Sequence, residues 1–171
     1  MGNLRVMKVL VRIACLSLMV LCLFVGSPAY ASSPAATSRS AIDSEDFANE
    51  NFAGESFQGA EFTEVNFRNA DLSETDLRGA VFNSCQLQNA DLHGANMTNG
   101  IAYLTKFTDA DLSGAIFEEA ILLRSTFDGA NIDGADFSFA VLDGTQQKKL
   151  CAAATGVNPV TGIATADSLG C

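Results

Sequence analysis

From Phe47 to Leu142 a large apolar residue stands at every fifth position with one lapse. The twenty positions ending in 2 or 7 hold ten Phe, seven Leu, Met97, Ile132 and, as the exception, Ala102. Of the twelve Phe in the chain, only Phe24 and Phe139 lie out of phase. A helix face recurs every 3.6 residues and a strand face every 2, so a period of five describes a repeating turn of chain whose units stack on one another. The regularity fixes an architecture and says almost nothing about chemistry.

The first 31 residues read as a cleaved secretory signal peptide. Arg5, Lys8 and Arg12 make a positive leader, Ile13 to Val25 an apolar run too short to span comfortably, and Ala29-Tyr30-Ala31 an A-x-A cleavage site. No twin Arg is present, and Leu21 stands before Cys22 where a lipoprotein anchor needs a small residue. The mature chain then starts near Ser32, with residues 32–41 as an N-terminal linker or cap. It carries seven basic residues against twenty acidic ones, a formal charge of −13. That balance disfavours nucleic acid phosphates and anionic lipid as partners. Three cysteines remain after cleavage, Cys85, Cys151 and Cys171, and export permits disulfides.

Two residues before each large centre the side chain is small. From position 60 to 140 these seventeen sites are eleven Ala plus Val65, Thr75, Cys85, Gly100, Thr105 and Ser125, so they also point inward where space is scarce. The residue just before the centre is often Asp or Asn, and eight of the fourteen Gly fall two after it, where a turn needs a permissive backbone. The pattern is A-[DN]-[LF]-x-x, matched fully by Ala70-Asp71-Leu72, Ala90-Asp91-Leu92 and Ala110-Asp111-Leu112.

On these residues the chain resembles the pentapeptide repeat family. The resemblance implies an all-β solenoid, a right-handed quadrilateral β-helix with four pentapeptides per coil. Over residues 42–144 it amounts to about five coils. Sites twenty apart then stack about 4.8 Å from each other if coils pair as parallel strands do. Ala102 leaves the interior short of volume beside Phe82 and Leu122, so either those side chains lean in or a bulge swings Tyr103 or Leu104 inward. Glu45, Glu50 and Glu55 occupy inward sites of the first coil, where a carboxylate cannot sit dry, which marks that coil as an exposed end.

Beyond Leu142 the period stops, and residues 145–171 read as a C-terminal helical cap. Gln146 to Ala154 is predicted as a short helix after Thr145, Gly156-Val157-Asn158-Pro159 as a turn, and Thr165 to Leu169 as a second helical turn ended by Gly170. Pairing Cys151 with Cys171 would close this hairpin. The segment from Leu150 to Cys171 resembles the tail of thylakoid-lumenal pentapeptide repeat proteins of cyanobacteria and chloroplasts. That likeness implies an exported protein, the thylakoid lumen being preferred and the periplasm possible, from a group generally without an assigned activity.

Read as columns of period twenty, the outer surface offers three constellations. Just after the centre on one face stand Ser73, His93, Ser113 and Asp133, the members of a hydrolase triad. Asp133 sits two coils from His93 with Ser113 between, so the geometry of a triad fails. Beside it, Asp71, Asp91 and Asp111 form an acidic ladder flanked by Asn51 and Asn131, a pattern that serves the repeat's own turns better than a cation. The third column is unexpected: Val81, Ile101, Ile121 and Val141 are apolar where the repeat should face water, with Tyr103 and Leu123 alongside. This column is β-propensity without a partner, a surface the tail folds over, or an interface. Cys85 reads as packing rather than a reactive thiol.

No catalytic, cofactor-binding or metal-binding residue is expected. The reading is a non-catalytic structural or protein-interaction module that meets an unknown protein, or itself, through the third column, with no nucleic acid partner and no membrane contact after signal cleavage. The alternative is an acidic rod that mimics DNA and binds a gyrase-like enzyme, which the export signal disfavours.

Overall fold

The computed structural model describes residues 41–171. The leader read over residues 1–31 and the linker over 32–41 lie outside the described residues, except for Ala41. In the described chain the period of five becomes a register of twenty. Strands β1 (Ala41–Asp43), β2 (Glu61–Thr63), β3 (Val81–Asn83) and β4 (Ile101–Tyr103) form one parallel sheet in chain order. Ile42 lies opposite Phe62, Phe62 opposite Phe82, and Phe82 opposite Ala102. Bridges carry this column on through Ile121 and Val141, and three further columns start at Asp46, Asn51 and Ser56, each partner twenty residues on.

The backbone dictates that register. The N–H of a centre residue donates forward, as Phe52 does to the Asp71 carbonyl at 2.7 Å, while the N–H just before a centre donates back, as Asp71 does to the Glu50 carbonyl at 2.9 Å. Each coil therefore bonds only to the coils before and after it. Centres and small sites both point inward and are buried from Ala60 to Phe137, apart from Ala130 at the margin. The core is partly aromatic: Phe107 stacks on Phe127 and Phe117 on Phe137, each pair 5.0 Å apart and nearly parallel. At the first coil Glu45 and Glu55 are exposed and Glu50 is half-buried, with Phe47 and Phe57 half-buried beside them.

At Ala102 the chain does not bulge. β4 keeps its register, Ala102 is fully buried, and Tyr103 and Leu104 stay outside. The adjustment is made by hydrogen bonds. At most corners the small residue's N–H donates to the centre carbonyl three back, as Ala110 does to Phe107 at 3.1 Å. After Phe62, Phe82 and Ala102 those carbonyls are taken instead by side chains one coil on: the Cys85 thiol at 3.4 Å, the Thr105 hydroxyl at 3.1 Å and the Ser125 hydroxyl at 2.9 Å. The Ser125 oxygen also accepts from the Thr105 N–H at 3.0 Å. In the sequence pattern Cys85, Thr105 and Ser125 stand out only as small residues. They are the donors that satisfy a widened corner whose carbonyls would otherwise be buried without partners.

A β-solenoid presents a free strand edge where its last coil ends. Here the tail supplies the missing acceptors. In the preceding coil, Leu104, Phe107, Gly114 and Phe117 donate to carbonyls nineteen residues on. Their counterparts donate to the Asp143 carboxylate (Arg124 N–H, 2.6 Å), the Gln146 amide oxygen (Phe127, 3.4 Å), the Thr155 carbonyl (Gly134, 2.9 Å) and the Ser168 hydroxyl (Phe137, 3.0 Å). Helix α1 (Gly144–Ala153) begins two residues earlier than the sequence suggested, because the Asp143 carbonyl accepts from Gln146 and Gln147 while its side chain serves Arg124. Helix α2 (Thr165–Leu169) ends at Gly170 in a left-handed conformation. Leu150 and Leu169 join the core, and a disulfide joins Cys151 to Cys171.

Between the helices, Asn158 is buried against the side of the solenoid. Its Nδ2 donates to the carbonyls of Gly114, Ala115 and Gly134, and its Oδ1 accepts from the N–H groups of Val160 and Thr161. The tail thus covers Ile116, Asp136 and Ser138, which are buried where their counterparts Asn96 and Thr98 are only half-buried.

Candidate interaction face

Because the tail lies against Gly114, Gly134 and Ile116, it leaves the column of Val81, Ile101, Ile121 and Val141 to solvent. Ile121 is 40% exposed and Val141 48%, while Val81, Ile101, Tyr103 and Leu123 are half-buried. The parallel register sets Ile101 between Val81 and Ile121, and Tyr103 beside Asn83, so all six residues share one flat face. The Arg124 guanidinium lies 5.8 Å from the centre of the Tyr103 ring, a cation–π contact that keeps its charge at the margin.

Two further residues extend the face. The position two after each centre is held at positive φ in coil after coil, which suits Gly and Asn. Among the described residues only two bulky apolar side chains stand there, Leu104 (φ 55°) and Phe139 (φ 58°). They are 43% and 81% exposed. Leu104 follows β4 at one corner of the apolar face, and Phe139 precedes Val141 at the other. A tally of Gly at this site hides both residues, because it does not ask which side chains break the rule; the phase of Phe139 is the available signal.

The other constellations have local roles. In the acidic ladder the Asn51 amide donates to Asp71 at 2.9 Å and the Asn131 amide to Asp111 at 3.0 Å, while the carboxylates accept backbone N–H groups two residues on. Burial works against the charge on Asp111, but donation from the Ser113 hydroxyl and N–H outweighs it and holds the carboxyl below its usual range. No group of described carboxylates, His or Cys is arranged to hold a metal ion. His93 Nδ1 lies 3.0 Å from the Ser113 hydroxyl, which donates to Asp111 at 2.6 Å. With the serine proton committed to Asp111, the imidazole meets Ser113 as a donor and the hydroxyl is not activated for attack. Asp133 accepts from Thr155 instead. Burial pushes the Cys85 thiol up to about 11, so it stays protonated at neutral pH.

The sequence pattern of pentapeptide repeats matches in eight copies over residues 46–99 and 105–145. The chain belongs to the pentapeptide repeat family. The described parallel coils are those of the family's right-handed β-helix. Among solved structures, a pentapeptide repeat protein from the Arabidopsis thaliana thylakoid lumen is 32% identical over 77% of this chain and 88% of that one, with a TM-score of 0.41. A pentapeptide repeat protein from Nostoc PCC 7120 is 25% identical over 60% of this chain and 84% of its own, with a TM-score of 0.50. The plasmid-mediated fluoroquinolone resistance protein QnrB1 is 20% identical over 60% of this chain and 74% of its own, with a TM-score of 0.26. No curated protein sequence matches the chain.

Proposed function

We propose that this pentapeptide repeat protein is an exported, non-catalytic docking module that binds protein through the face of Val81, Ile101, Tyr103, Ile121, Leu123 and Val141. The observation that carries this reading is the pair Leu104 and Phe139. A left-handed conformation costs a bulky L-residue about 1–2 kcal/mol; the repeat imposes it at every site of this kind, and among the described residues only at these two does it also set a large apolar side chain in water. A partner's surface offsets it by taking them out of water. The framework is a quadrilateral stack of about five coils, rigid because every coil is hydrogen-bonded along its length, which suits a pre-formed surface. Export rests on the leader pattern of residues 1–31. The lumen is the preferred compartment, in keeping with the thylakoid-lumen relative, and the periplasm is the other. An acidic rod mimicking nucleic acid would make no use of an uncharged apolar face.

The test is the double variant Ile101→Asp with Leu123→Asp. These side chains lie outside the core, so unfolding free energy is expected to change by less than about 1 kcal/mol. Crosslinked species formed by the wild-type protein in intact cells of the source organism are expected to disappear. A variant that keeps both its stability and its crosslinks would reduce the column to β-propensity and end the reading.

A further inference from the structure

The apolar face is self-complementary, and we infer that its occupant is a second copy of this chain, packed face to face with the solenoid axes antiparallel. The inference rests on the docking reading above and names its partner. Consider a two-fold axis lying in the plane of the face, along the strands, midway between Ile101 and Ile121. It sets Ile101 against Ile121 of the other copy, Val81 against Val141, and Tyr103 against Leu123. Bulk then meets space at the corner. Phe139 falls opposite Gly79, where an added Cβ would meet nothing within 4 Å. Leu104 at the far corner falls opposite the stem of Arg124.

Charge points the same way. The same operation sets Asn83 against Asp143 and Asn99 against Glu119, so these two carboxylates each meet an amide and neither meets a like charge. Any pairing through the Asp71, Asp91 and Asp111 face would bring carboxylates of two strongly acidic chains together. The four apolar rungs extend about 14 Å at a coil spacing of about 4.8 Å, and the face is about 20 Å wide at about 3.3 Å per residue. That footprint falls below the roughly 800 Å² per partner of a stable interface, so the association is weak and reversible. It also runs against net charge, so it strengthens as salt screens the repulsion, the reverse of a charge-driven contact.

The experiment uses the mature protein with single cysteines at the two ends of the column. Val81→Cys and Val141→Cys proteins are treated with a short bismaleimide, which spans opposed side chains of faces packed about 10 Å apart, alone and as an equimolar mixture, at protein concentrations up to about the millimolar range. The bismaleimide does not react with the native disulfide, and Cys85 is buried in the folded protein. Antiparallel pairing predicts a linked dimer in the mixture at least tenfold above either protein alone, because in like pairs the two sulfurs stand about 14 Å apart along the axis in addition to the gap between the faces, beyond the linker's reach. Adding Gly79→Asn, which fills the corner opposite Phe139 with a residue that tolerates left-handed φ, is expected to abolish the product. Sedimentation equilibrium on wild type should show dimer increasing with both protein and salt. A monomer at every concentration and salt overturns the inference, as does crosslinking of either single variant alone. If wild type is monomeric while the Ile101→Asp, Leu123→Asp variant still loses crosslinks in cells, the second copy is excluded and the docking reading stands. A monomeric wild type together with unchanged crosslinks in the double variant removes both.

Discussion

Replacing Asn158 with Leu is expected to release the tail from the side of the solenoid and to lower unfolding free energy by about 3–5 kcal/mol. The amide is 1% exposed and fills both halves of its hydrogen-bonding capacity, donating to three carbonyls on two coils and accepting from two loop N–H groups. Leucine keeps the branched layout of the side chain but is bulkier, so the loss falls on the polar groups with some overpacking added. Each buried group left unpaired costs about 1–3 kcal/mol, and partial opening of the loop to water limits the total. Asn158→Asp is expected to cost as much, since it keeps the acceptor for Val160 and Thr161 but turns a carboxylate toward carbonyl oxygens. Denaturant unfolding gives the magnitude. Limited trypsin digestion should show cleavage after Lys148 or Lys149 well before the coils are attacked. Unchanged stability with an intact tail would mean that the tail is held by its disulfide and helices alone.

The disulfide carries the second large effect. Cys151→Ser and Cys171→Ser are each expected to cost about 3 kcal/mol for a closed loop of this length, and the double variant no more than either single one, because the loop is opened once. The consequence reaches past the tail itself. α1 and α2 bring Gln146 and Ser168 to the free edge of the last coil, so loosening them returns the N–H groups of Phe127 and Phe137 to solvent and frays that coil first. Thiol titration of the native mature protein, without the leader that holds Cys15 and Cys22, should find no rapidly reacting thiol, and after denaturation one, from Cys85. Three thiols in denatured, unreduced protein would show that the pair is not bonded.

What the sequence makes legible follows from where the physics is periodic. Core packing repeats every five residues and backbone pairing every twenty, so the columns of Phe62, Phe82 and Ala102, and of Ile101, Ile121 and Val141, can be written down before any coordinates exist. The terminal cap has no period to read. Its contacts join Asn158 to Gly114, a separation of 44 residues that no local pattern encodes. The helix start shifted to Gly144 because Asp143 uses its carbonyl and its carboxylate in two directions. Cys85, Thr105 and Ser125 carry a signal that composition hides: they are small residues with a hydrogen to donate, spaced by twenty, in the one column whose corners leave carbonyls open. Phe139 and Leu104 are legible only once the left-handed corner position is known, since their side chains are unusual for the backbone they occupy rather than for their neighbours.

The claim that this rigid, capped solenoid works through one apolar face is tested most directly by photocrosslinking from two positions. A benzophenone is attached to a cysteine placed at Ile121, on the apolar face, or at His93, on the acidic one, in the exported protein within intact cells. Both positions are exposed, so labelling and folding are comparable. Discrete crosslinked products are expected from Ile121, of twice the mature mass where the occupant is a second copy, and none above background from His93. Products of equal yield from His93, or none from Ile121, would contradict it.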